Sequence, residues 1–88
     1  MRKLWDDEAW EEYLYWQTQD KKTLKKINKL IKDIERKGAD RGIGKPERLK
    51  DNLSGLCSRR IDNKNRLVYF VSGDSIEIIS CKNHYTNK

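Results

Sequence analysis

Residues 56–81 read LCSRRIDNKNRLVYFVSGDSIEIISC, and they decide the fold. Apolar residues recur there with a period near two, which is the spacing of a half-buried strand. Leu56 to Ile61, Arg66 to Val71 and Ser75 to Cys81 are the predicted strands. The links between them, Asp62-Asn63-Lys64-Asn65 and Ser72-Gly73-Asp74, are too short for a crossover, so neighbouring strands run antiparallel. Leu67-Val68-Tyr69-Phe70-Val71 is the most apolar run and predicts a central strand. If Asp62-Asn63-Lys64 is a three-residue loop, Arg60 faces Arg66 on one side of the ribbon, together with Ser58 and Val68. Ile61, Leu67 and Tyr69 then turn to the core. A four-residue loop would separate the two arginines, and both registers remain open at this point.

Moving toward the N-terminus, the period changes to that of a helix. Residues 38–46, GADRGIGKP, hold three glycines and the only proline and predict a loop. It lacks the GxxxxGK[ST] pattern of a phosphate-binding loop. Before it, Leu24, Ile27, Leu30, Ile31 and Ile34 form one apolar stripe. Lys22, Lys25, Lys26, Lys29, Lys32 and Arg36 face the other way, as a solvated helix face or one that meets RNA phosphates. Asp20 caps this helix and Gly38 stops it. A second helix runs from an N-cap at Asp6 through residue 17. Its apolar side is Ala9, Trp10, Tyr13, Leu14 and Trp16, with Asp7, Glu8, Glu11 and Glu12 turned away. Met1 to Trp5 predicts a strand. The expectation is one α+β domain over residues 1–88, an N-terminal strand and a helical hairpin packed on an antiparallel sheet.

The composition narrows the function. Lys and Arg outnumber Asp and Glu by 20 to 14, a net charge of +6, which suits an acidic partner (nucleic acid, an acidic protein or an anionic membrane surface) or a basic surface kept for solubility. Met1 to Trp10 carries acids and no apolar run of the signal-peptide kind, so the expected compartment is the cytoplasm. No membrane span is expected either. In a reducing compartment Cys57 and Cys81 read as buried free thiols. Two cysteines and one histidine, unclustered, are a poor metal set, and no metal or cofactor is expected.

Metal-free RNA cleavage needs a base for the 2′-hydroxyl, an acid for the leaving 5′-oxygen and cations for the phosphorane. The single histidine, His84, sits beside Tyr85 and has an intrinsic pKa of about 6.5. Glu47 follows the rigid Pro46. Arg59, Arg60 and Arg66 lie on two strands joined by a tight turn, and Lys50 adds charge near Glu47. Arginine's planar fork holds a phosphate through two parallel hydrogen bonds. Taken singly, each residue has a plainer reading: a solvated carboxylate, a chain-end histidine, solvated strand charges.

Together they resemble a known family, the YoeB/Txe toxins of the RelE superfamily. The resemblance runs from Leu4 to Tyr85. It is carried by WDDEAWEEYLYWQ at 5–17, DKK at 20–22, KKINKLIKD at 25–33, GKPERLK at 44–50, NLSG at 52–55, SRRI at 58–61, RLVY at 66–69 and HY at 84–85. It implies a RelE-like fold, similar in outline to small microbial ribonucleases. It implies a toxin of a type II toxin–antitoxin pair that cuts mRNA in the A site of the 30S subunit on translating ribosomes. The implied partner is an acidic antitoxin of YefM/Axe type, through which alone the toxin meets operator DNA, and homodimers are implied as well. Carried over residue by residue, the base falls on Glu47, the phosphate-binding arginine on Arg66, the acid on His84 and the adjoining tyrosine on Tyr85. Lys50 and Arg60 fall among the supporting basic positions, and Arg59, from its place on the strand, is expected to bind phosphate with them. Cys57 and Leu56 depart from the aromatic residues frequent in relatives, and Thr86, Asn87 and Lys88 extend past the usual ending. The rival on this scaffold is a ParE-like inhibitor of gyrase, which lacks the Glu/Arg/His/Tyr set as a unit.

Overall fold

A computed structural model of the chain describes residues 1–83. The strand β1 (Arg2–Trp5) leads into the helices α1 (Asp7–Gln19) and α2 (Lys21–Lys37). After a loop come β2 (Glu47–Arg48), a 3₁₀ turn (Asp51–Leu53), β3 (Cys57–Arg60), β4 (Arg66–Ser72) and β5 (Ser75–Ser80). The strands form one sheet in the order β1-β5-β4-β3-β2, so β4 is the middle strand, as its apolar run predicts. β2 to β5 meander antiparallel, whereas β1 pairs parallel to β5. The sheet is therefore mixed. The long excursion through both helices allows this parallel pairing, because parallel neighbours need a crossover.

One face of the sheet carries the helices. Ile27, Leu30, Ile31 and Ile34 of α2 pack with Ala9 and Trp16 of α1 against Leu67, Tyr69, Ile76 and Ile78. Each such aliphatic side chain contributes about 1.5–3 kcal/mol by leaving water. Asp20 caps α2 through its carboxylate, which accepts from the backbone N–H of Lys22 and Thr23 at 3.0 and 3.3 Å. Gly38 ends α2 at φ 96°, a left-handed value that favours glycine. Asp6 occupies the N-cap of α1 but makes no side-chain capping bond.

The helical wheel of α1 is rotated from its expected setting. Ala9 and Trp16 are buried, whereas Trp10 and Leu14 are exposed. Glu12, expected on the outer face, is half-buried, and its carboxylate accepts from the backbone N–H of Cys81 at 2.7 Å. Trp10 instead joins Trp5 and Tyr13 in a surface aromatic cluster with ring centroids 4.6–5.8 Å apart. Both thiols are free and buried, and burial pushes Cys81 up to about 12.

Candidate active-site face

The face of the sheet turned away from the helices gathers most of the expected residues. The β3–β4 register pairs Arg60 with Arg66 and Ser58 with Val68. It is the three-residue-loop register, closed by the Ile61 N–H donating to the Asn65 carbonyl at 2.9 Å. Asp62 holds that loop by accepting from the backbone N–H of Lys64 and Asn65 at 2.8 Å each. β2 adds Glu47 opposite Ser58. Alternation then places Glu47, Ser58, Arg60, Arg66 and Val68 on one face.

Glu47 and Arg66 lie two strands and two residues apart. Strand spacing and rise put their Cα atoms about 12 Å from one another, a gap their side chains can bridge to one phosphodiester. Glu47 and Arg60 are exposed and Arg66 is half-buried. The Arg66 guanidinium approaches Ser58 Oγ at 3.5 Å. Arg60 and Arg66 are directly opposed, with Cβ atoms about 5 Å apart, and like charges so placed repel unless an anion lies near them. Lys50 is exposed, three residues past Glu47.

Arg59 departs from its expected role. Its alternation turns it to the helical side, where it is wholly buried. Nε donates to Tyr69 Oη at 3.0 Å, Nη1 to Asp33 Oδ2 at 2.6 Å and to the Ile43 carbonyl at 3.1 Å. Nη2 donates to the carbonyls of Gly38 and Arg41. All five N–H groups of a guanidinium are thereby engaged, so none is left for a substrate phosphate. Arg59 is a clamp that ties the 38–46 loop to α2 and β4. Asp33 accepts from the Ile43 N–H at 2.9 Å, and Tyr69 donates to the Ala39 carbonyl at 2.8 Å. The Ile43 N–H and then the Arg59 guanidinium hold the Asp33 carboxyl below its ordinary range. Gly42 sits at φ 119° against this pair, where a Cβ would fall 1.8 Å from Asp33 Oδ2. The loop that delivers Glu47 is thus fastened from beneath.

His84 and Tyr85 lie outside the described residues. The chain that leads to them is well anchored. Trp16 Nε1 donates to the Cys81 carbonyl at 2.9 Å, and Asn83 N–H donates to Asn65 Oδ1 at 2.7 Å. The Arg66 N–H donates to the Asn83 carbonyl at 3.2 Å, so the last described peptide abuts Arg66 itself. Sequence reasoning missed Glu12, Trp16, Asp33 and Tyr69 as supports. The signal for Arg59 was available: it shares parity with Ile61, Leu67 and Tyr69. Among the described residues, no group of three or more His, Cys, Asp or Glu is placed to hold a metal ion. No helix among them is long and apolar enough to cross a membrane.

Comparison with known proteins agrees with this architecture. The profile of the YoeB-like toxin of bacterial type II toxin–antitoxin systems matches residues 5–85. Toxin YoeB of Escherichia coli K12 is 54% identical over 85 residues, covering 97% of this chain and 100% of that protein. The structure of the YoeB dimer from Staphylococcus aureus superposes with a TM-score of 0.92 at 53% identity, over 97% of this chain and 98% of that one. The heterotetrameric YoeB–YefM toxin–antitoxin complex from the same organism gives the same values.

Proposed function

This chain belongs to the YoeB-like toxin family of bacterial type II toxin–antitoxin systems, and from that premise we propose that it is an endoribonuclease cutting mRNA in the ribosomal A site. Glu47 takes the proton from the 2′-hydroxyl. The oxygen attacks the adjacent phosphorus, Arg66 stabilises the phosphorane, and His84 protonates the departing 5′-oxygen. Tyr85 stacks on or orients the substrate. Arg60 and Lys50 add positive charge along the RNA path. The products are a 2′,3′-cyclic or 3′-phosphate and a 5′-hydroxyl. The observation that carries this reading is the shared face of Glu47, Arg60 and Arg66, with the chain to His84 bonded to Arg66.

The structures of relatives as a dimer and as a YoeB–YefM complex support two further parts of the reading. The chain pairs with itself, and an acidic antitoxin of YefM type neutralises it in the cytoplasm. An acidic segment folding over Arg60 and Arg66 would relieve their mutual repulsion while it occludes the site. Operator DNA is then reached through the antitoxin.

The test is to incubate the antitoxin-free protein with programmed ribosomes and map mRNA 5′ ends, beside His84→Gln, Glu47→Gln and ribosome-free lanes. Cleavage at the A-site codon leaving a 5′-hydroxyl, lost in both variants and weak without ribosomes, is the expected result. A 5′-phosphate product, or intact mRNA with folded wild-type protein, would overturn the mechanism.

A further inference from the structure

One face of α1 grips the chain just before its proposed catalytic end. Ala9, Glu12 and Trp16 recur at helical spacing, and all three reach Cys81. Glu12 Oε1 takes the Cys81 N–H at 2.7 Å, Trp16 Nε1 gives to the Cys81 carbonyl at 2.9 Å, and Cys81 Sγ lies 3.7 Å from the Ala9 carbonyl. Both backbone groups of a fully buried residue are therefore held by side chains of one helix. The hold continues along the chain. Lys82 Nζ sits 4.8 Å from the Tyr15 ring centroid, and Asn83 is bonded to Asn65 and to the Arg66 N–H. Asn83 takes φ 69°, in the left-handed region that asparagine tolerates better than most residues.

Stability alone gives little reason for a carboxylate at position 12. Burial pushes the Glu12 carboxyl above its ordinary value against the pull of the Cys81 N–H; Glu8 adds to the rise, and the Lys82 ammonium and backbone N–H oppose it. The net effect disfavours charge at this position, yet an acceptor is placed against the backbone of Cys81 and Lys82. Groups that cost stability while fixing geometry are typical of supports for active sites.

We propose that Glu12, assisted by Trp16, is a positioning residue: its bond to Cys81 fixes the course of residues 81–83, the segment that leads to the proposed acid His84. This rests on the ribonuclease reading of His84. Glu12 touches no substrate.

The experiment compares Glu12→Leu, which removes the acceptor, with Glu12→Gln, which keeps one, in cleavage of ribosome-bound mRNA. Misplacing a catalytic group by an ångström costs up to about 10²-fold, so Glu12→Leu should lose about 10–100-fold in kcat with KM within about twofold. Glu12→Gln should recover to within about threefold of wild type on the same scale. Trp16→Phe keeps an aromatic side chain and removes the donor to Cys81 together with part of the indole; in a chain whose melt shows it folded, it should show the same split, which keeps the test decisive if Glu12→Leu fails to fold. Active wild type beside Glu12→Leu and Trp16→Phe at wild-type kcat would overturn the proposal alone. A folded wild type that cuts nothing would overturn the ribonuclease reading and this proposal with it.

Discussion

Replacing Arg59 by leucine separates a structural arginine from a phosphate-binding one. The change removes a fully buried guanidinium whose partners are Asp33, Tyr69 and the carbonyls of Ile43, Gly38 and Arg41. Breaking a buried ion pair by deleting one member costs about 3–5 kcal/mol, mostly from the stranded charge. Here part of that charge keeps company: the Ile43 N–H still donates to Asp33, and Lys37 Nζ lies 3.8 Å from it. Gly38 and Arg41 are exposed, so water can replace their lost donor. Both facts point to the lower end, about 3 kcal/mol. That is a large share of the roughly 4–13 kcal/mol expected for 88 residues. In a domain this small it corresponds to a fall in Tm of about 12–24 °C. Thermal and urea melts measure it, and the urea midpoint should drop at constant slope. Arg60→Leu is the control: Arg60 is exposed, so its melt should stay within about 0.5 kcal/mol of wild type while RNA cleavage falls. An Arg59→Leu chain with wild-type stability and weakened RNA binding would refute the reasoning and return Arg59 to the phosphate-binding set.

Two further outcomes follow from the buried groups. Asp33 is held below its ordinary value of 3.8 by the Ile43 N–H and Arg59, so its stabilising effect is full above that pH and fades as pH falls through the lowered native value. Urea melts from pH 7 to pH 3 should show the gap between wild type and Asp33→Asn closing only below about pH 4, and a gap constant over the whole range would contradict the clamp. Burial pushes Cys81 to about 12 and raises Cys57, so neither thiol should react with a disulfide reagent at pH 8 until denaturant is added. Rapid labelling of the native protein would show that the sheet opens locally at β3 or just after β5.

Local rules carried much of the fold. The Asp20 cap and the strands flanking the Asp62 turn are written in neighbouring residues, whereas the turn length, and with it the β3–β4 register, stays open in the sequence until the structure selects the three-residue loop. β2 was not legible, because two exposed residues have no pattern of their own; they form a strand only because β3 offers an edge. Glu12 was misplaced for a related reason. A helical wheel reports the mean environment of a face, whereas the burial of Glu12 depends on where residue 81 returns, 69 positions later. Arg59 was assigned by its charge when its parity pointed inward. The competing signal was Asp33, a carboxylate set between Leu30 and Ile34 on the apolar stripe and buried with them.

These errors share a cause that bears on how the site is built. A small basic domain has a thin core, and here the parts of the proposed site that lie outside regular structure are fastened by buried polar groups. Arg66 opens the middle strand, where its pairing with β3 and the packing of Leu67 and Tyr69 place it. Glu47 arrives from a loop, which Arg59, Asp33 and Tyr69 hold from the helical side. The chain to His84 leaves the sheet, and α1 holds it through Glu12 and Trp16. The two clamps should fail differently. Arg59 spans α2, β4 and the loop, so its loss is felt first as unfolding. Glu12 meets the backbone of a single residue after β5 and ties no second element to it, so its loss is felt first as lost catalysis in a folded protein.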